Sequence, residues 1–151
     1  MKISENFALV LLLGFALCAC KQPTQSVQVA PLKNAASASE STSNASIEQA
    51  FASKSSDVQV TGKGTIVKLL ADDTQGAQHQ KFLVKINEHQ ILLFAHNIDL
   101  ATRIPIKVGD EITFSGEYVY NPKGGILHWT HHDPSGQHPA GWVILDGQKY
   151  Q

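Results

Sequence analysis

Histidine is the residue type best placed to do chemistry in this chain, and all seven histidines lie between His79 and His138. Four of them fall within eleven residues, His128-Trp129-Thr130-His131-His132-Asp133-Pro134-Ser135-Gly136-Gln137-His138. Neutral imidazole is the commonest protein ligand for zinc, copper or nickel. The density points to a divalent metal such as zinc, held by members of the set His128, His131, His132, Asp133 and His138. An extended segment would point His128, Thr130 and His132 one way and His131 the other. Converging them needs a bend, which Asp133-Pro134 permits. The competing reading is that these rings bond neighbouring carbonyls and pack beside tryptophan. No HExxH spacing is present to decide between them.

Catalysis finds less support. A metal-bound water needs an open coordination position and a nearby base. Asp133 or Glu117 could serve, but no spacing demands it. Ser135 lies near His132 and Asp133, yet a nucleophilic triad is recognised by geometry rather than by proximity in sequence. There is no G-x-S-x-G elbow. Both cysteines, Cys18 and Cys20, fall in the first twenty residues, so the rest of the chain has no thiolate ligand, disulfide or cysteine nucleophile.

The elements that must position these residues are mostly strands. From Asp57 the apolar period becomes two. Val58, Val60, Gly62, Gly64 and Ile66 alternate with polar residues. Phe82, Val84 and Ile86 alternate with Lys81, Leu83 and Lys85. Residues 90–95 form a nearly continuous apolar strand. Asn97 could cap a short helical turn over 98–101 that Pro105 stops from continuing. Ile112, Phe114, Gly116, Tyr118 and Tyr120 share one face. Asn121-Pro122-Lys123-Gly124-Gly125 is a hairpin loop, residues 126–130 return, and residues 142–145 suggest a last strand. Ser46 could cap a short helix over 46–51, with Gln49 completing a capping box. Three strands, a short helix and two strands is the order of an OB-fold, so the expected fold is mostly β, a small OB-like five-stranded antiparallel barrel with a short helix. OB barrels bind ligands on strands two and three, between the loops after strands one and four. Here those loops are 71–78 and 121–125. His79, His96, Tyr118, Tyr120, Trp129 and Trp142 are the candidate ligand contacts, though about half of a barrel strand's residues fill its core.

The N-terminus reads as an address. Residues 7–17 form an unbroken apolar run, too short for a spanning helix but suited to a secretory signal. It ends in Leu17-Cys18-Ala19-Cys20, which looks like a bacterial lipobox. Residues 1–19 are then a lipoprotein signal peptide, and Cys20 carries the acyl chains, palmitate included, that bind the membrane. Lys21 after the cysteine resembles the outer-membrane class. Residues 20–46 supply the acylated cysteine and a disordered, flexible tether rich in Ser, Ala and Gln. Residues 47–151 form the barrel domain. Net charge is −1 and Arg103 is the single arginine, so a nucleic-acid partner is not expected, because phosphate neutralisation needs excess Lys and Arg. Lys81, Lys85 and Lys123 make only a weak basic patch.

Several stretches carry a resemblance. They are His79-Gln80-Lys81-Phe82, Ala95-His96-Asn97-Ile98-Asp99-Leu100, Gly116-Glu117-Tyr118, Asn121-Pro122-Lys123-Gly124-Gly125 and His128-Trp129-Thr130-His131-His132-Asp133-Pro134, followed by Gly136, His138 and Gly141-Trp142. Together they resemble a bacterial family known as domain of unknown function number 3465. The resemblance spans residues 62–150 and implies a shared domain without an assigned reaction.

The expectation is an envelope lipoprotein, anchored through Cys20 in the outer membrane and facing the periplasm, whose barrel binds a glycan, peptide or protein without catalysis. A metal-dependent hydrolase or a metal-binding protein using residues 128–138 remains the alternative.

Overall fold

A computed structural model describes residues 43–151. The expected signal peptide, Cys20 and most of the expected tether lie outside the described residues. Among the described residues no helix is long and apolar enough to cross a membrane.

The chain forms one short helix, α1 (Ala45–Ala52), and seven strands: β1 (Val58–Leu69), β2 (His79–Lys85), β3 (Ile91–Asn97), β4 (Glu111–Val119), β5 (Ile126–His128), β6 (Trp142–Leu145) and β7 (Gln148–Tyr150). The order β1-β2-β3-β5-β4 closes on itself because β1 also pairs with β4. This is the expected mostly β, OB-like five-stranded barrel. Its pairs are antiparallel except β3–β5, which is parallel. The hairpin β6–β7, of which only the first strand was anticipated, extends the sheet beside β4.

Alternation drives closure. Val60, Ile66, Phe82, Val84, Leu92, Phe94, Ile112, Phe114, Tyr118 and Leu127 all turn inward and are buried. Phe94 joins two strands of this core, lying 4.9 Å from Phe82 and 4.8 Å, edge-on, from Phe114. Burying such rings contributes about 1.5–3 kcal/mol each. Glycine lets β1 curve close to its neighbours. A Cβ on Gly64 would lie 2.6 Å from the Lys85 carbonyl.

Helix α1 covers part of the barrel through Ile47, which is fully buried. Its helix starts at Ala45, so Ser46 lies inside it and the expected Ser46 cap does not form. Asn44 holds the N-cap position but spends its side chain on the barrel. Its amide donates to the carbonyls of Lys63 (3.0 Å) and Ile86 (2.8 Å), and its oxygen accepts the Lys63 N–H at 2.9 Å. Residues 98–101, expected as a helical turn, make only a turn. Asn97 does cap it, its side-chain oxygen accepting the N–H groups of Asp99 and Leu100. The connection then runs back into the core through Ile104, pinned by Gln80, whose side chain bonds both its N–H and its C=O.

Candidate functional site

The outward face of β2, β3, β5 and β4 carries His79, His128 and Glu117, set in rows by strand register. Lys81 lies opposite Ala95, Ala95 and His128 line one pocket, and His128 lies opposite Glu117. One row along come Leu83, Leu93, Ile126 and Val119. The face therefore has a histidine end and an apolar end.

At the histidine end β5 stops because Trp129 adopts φ 52°, a left-handed conformation rare for a bulky residue. The expected alternation beyond His128 is thereby lost, and Thr130 and His131 are both buried, 0% and 4% exposed. The chain then loops out and returns. Gly141 donates to the His131 carbonyl at 2.9 Å. Only glycine fits there, since a Cβ would lie 1.9 Å from the Trp129 carbonyl oxygen.

Asp133 shapes that loop. Its carboxylate accepts the Ser135 hydroxyl and the backbone N–H groups of Ser135, Gln137 and His138, all within 2.9 Å. The Ser135 hydroxyl first, then these N–H groups, hold the carboxyl well below the usual carboxylate range. Ser135 is thus committed to Asp133.

The loop delivers His138 onto Glu117. His138 Nδ1 donates to the Pro139 carbonyl at 2.9 Å, and Nε2 sits 2.6 Å from Glu117 Oε2. Both ring nitrogens face acceptors, so the geometry suits the charged imidazolium. Burial opposes that charge, but the Glu117 hydrogen bond, the Pro139 carbonyl and the nearby carboxylates outweigh it and raise the pKa. The ring stacks on Trp129 at 4.1 Å and 8°. His131 lies 5.2 Å from the same indole and uses its Nδ1 on the His132 carbonyl at 2.8 Å. Glu117 Oε1 lies 2.9 Å from His128 Nε2 without hydrogen-bond alignment, and that nitrogen is buried with no partner among the described residues. Burial pushes His128 down, and Glu117 only partly offsets it. One carboxylate thus lies between a ring whose pKa is raised and one whose pKa is lowered.

The other expected contacts scatter. His96 is fully buried, between the Thr130 hydroxyl at 2.8 Å and the Thr102 carbonyl at 3.2 Å, and burial lowers its pKa to about 4. Tyr118 is also fully buried, its hydroxyl donating to the Gly124 carbonyl. Neither offers a ligand any surface, which corrects their place among the expected contacts; both sit at inward positions of their strands. Tyr120 packs on Phe51, and Lys149 lies over Trp142. His79, His128, Trp129 and His131, with Ala95 and Asn97, line a pocket of about 160 Å³.

The expected zinc set does not assemble. Among the described residues no three His, Cys, Asp or Glu side chains are placed to hold a metal ion. Asp133 is consumed by its own turn, His138 is bonded to Glu117, and His132 is exposed. Glu117, named from sequence only as a base, turns out to be the hub, because strand register sets it opposite His128.

The apolar end was not anticipated. Leu70, Leu83, Ile91, Leu93, Asn121, Lys123 and Gly125 line a groove of about 330 Å³. It lies over strands two and three, bordered by the β4–β5 loop. The positive φ of Gly124 and Gly125 lets that loop press against β3, where a Cβ on Gly124 would meet the Ile91 carbonyl at 2.1 Å. The signal was present in residues 91–95, where an unbroken apolar run means apolar side chains on both faces. A larger cleft of about 420 Å³, beside Gly64 and the β6–β7 turn, is rimmed by Lys63, Lys85, Glu111 and Asp146 and has charges of both signs.

No curated protein matches the chain. A family model does match, over residues 29–151, and its description is "Protein of unknown function (DUF3465)". The match takes in the barrel, the Glu117 hub and the loop that carries His138, and with most of its length covered the chain belongs to that family.

Proposed function

We propose that this protein is a non-catalytic ligand-binding module of the cell envelope. In this reading a signal peptide directs export, and acyl groups on Cys20 anchor the mature chain in the outer membrane with its barrel facing the periplasm. The binding role rests on one observation. Leu83, Ile91 and Leu93 leave an apolar groove open on strands two and three, where OB barrels take their ligands. The hydrolase alternative is disfavoured because Asp133 and Ser135 are committed to each other and His138 to Pro139 and Glu117.

The test is a photo-crosslinking residue placed at Leu93 in the full-length protein in living cells. The expected result is a discrete adduct at Leu93 that is absent when the crosslinker replaces Val108, which is 63% exposed away from the groove. Equal adducts at both positions, or none at Leu93, would overturn the binding role. Metabolic labelling with palmitate should mark the wild-type chain and not Cys20→Ala.

A further inference from the structure

We infer that the groove takes a single acyl chain bearing a carboxylate, a free long-chain fatty acid, with the chain on the leucines and the carboxylate against a lysine rim. This rests on the binding-module reading above and names its ligand class.

The lining carries the first half of the argument. Its side chains are aliphatic apart from Asn121 and Lys123, and it holds no aromatic ring and no acidic group. Sugars and bases are held by stacking on aromatic faces, which this floor lacks. Asn121 is already used, its side-chain oxygen accepting the N–H groups of Lys123 and Gly125. An extended peptide would need backbone partners at a sheet edge. Here β2 and β3 are paired to each other along their lengths and the barrel is closed, so the floor is a sheet face. A hydrocarbon chain asks for none of these groups. The groove's 330 Å³ lies at the small end of the range for ligand sites, about 300–1,000 Å³, which suits one chain rather than two.

Charge carries the second half. Lys123 lines the groove itself. Lys68 is opposite Leu83, and Lys85 is opposite Ile91, so both share its face. Lys81 precedes Leu83 by two residues on the same strand face. Lys85 has Glu88 at 2.9 Å and Lys81 has Asp73 at 4.0 Å, whereas no acidic partner of Lys68 or Lys123 is found among the described residues. An apolar floor with surplus positive charge at its rim complements an anionic amphiphile.

The experiment uses membranes holding the full-length protein and a diazirine-bearing palmitate analogue, with adducts mapped by peptide mass. The expected adducts fall on β2, β3 and the β4–β5 loop, and unlabelled palmitate competes better than the alcohol of equal length. The double variant Lys68→Glu, Lys123→Glu should lose roughly threefold to tenfold in labelling, the factor expected for exposed charge contacts. Labelling by the matching alcohol analogue should not change, which also shows that the variant is folded. Equal competition by acid and alcohol would overturn the carboxylate assignment and leave the binding module standing. A protein or peptide adduct at Leu93 without fatty-acid labelling would overturn the ligand class in the same way. Absence of both would overturn the ligand class and the binding module together.

Discussion

At one end of the sheet face Trp129, His138 and Glu117 pack against one another; at the other Leu83, Ile91 and Leu93 meet solvent. The histidine end holds the residue types that do chemistry, yet its polar atoms are largely consumed locally. Asp133 binds its own turn, His131 binds the next carbonyl, and His138 binds both Pro139 and Glu117. The apolar end holds the plainest residue types and leaves their surface unsatisfied. Capacity to bind follows from what remains unpaired after folding, and residue type alone does not report it.

The sharpest way to break this contrast is Gly141→Ala. If the loop is a structural strap, forcing a Cβ against the Trp129 carbonyl should cost about 3 kcal/mol, the upper end for overpacking, read by denaturant unfolding. A change below about 0.5 kcal/mol would make the loop an independent appendage. Next comes acid sensitivity. His96 has a folded pKa of about 4, below its ordinary value near 6.5, so the unfolded chain takes a proton the folded one refuses. Stability should therefore fall as pH drops from about 6.5 towards 4, by about 3 kcal/mol in all, and His96→Gln should remove that slope. His138 has the opposite sign. Its raised pKa gives a contribution complete below about 6.5 and lost as pH rises through the folded value.

Glu117→Gln sharpens the same half of the comparison. It should cost about 1 kcal/mol at pH 6 and return the His138 titration toward its ordinary position, measured by NMR of the imidazole protons. His128 should keep titrating low, because burial and not Glu117 sets it. The smallest effect belongs to the groove. Ile91 is 40% exposed, so Ile91→Ser should cost under about 1 kcal/mol in thermal unfolding while reducing ligand capture. A cost of several kcal/mol would mean that the groove is core.

The barrel could be read from sequence because its signal is a period. Ile112, Phe114, Gly116 and Tyr118 repeat every two residues and are buried as that repeat demands. The histidine arrangement could not be read in this way. It turns on the left-handed Trp129 and on Glu117, which meets His128 through register and His138 through a returning loop. The exposed apolar end was half legible, since Leu83 interrupts the polar side of β2 and residues 90–95 lack polar alternation.

Asn44 gives the N-terminus a mechanical character. Its side chain bonds Lys63 on β1 and Ile86 just after β2, immediately ahead of α1. A pull on the chain from that side meets this rivet before it reaches the helix. Its three hydrogen bonds share the load across two segments, so they resist as a group instead of peeling one by one. A barrel riveted in this way could be tugged at its N-terminal end while Leu83, Ile91 and Leu93, which take no part in these bonds, keep their places.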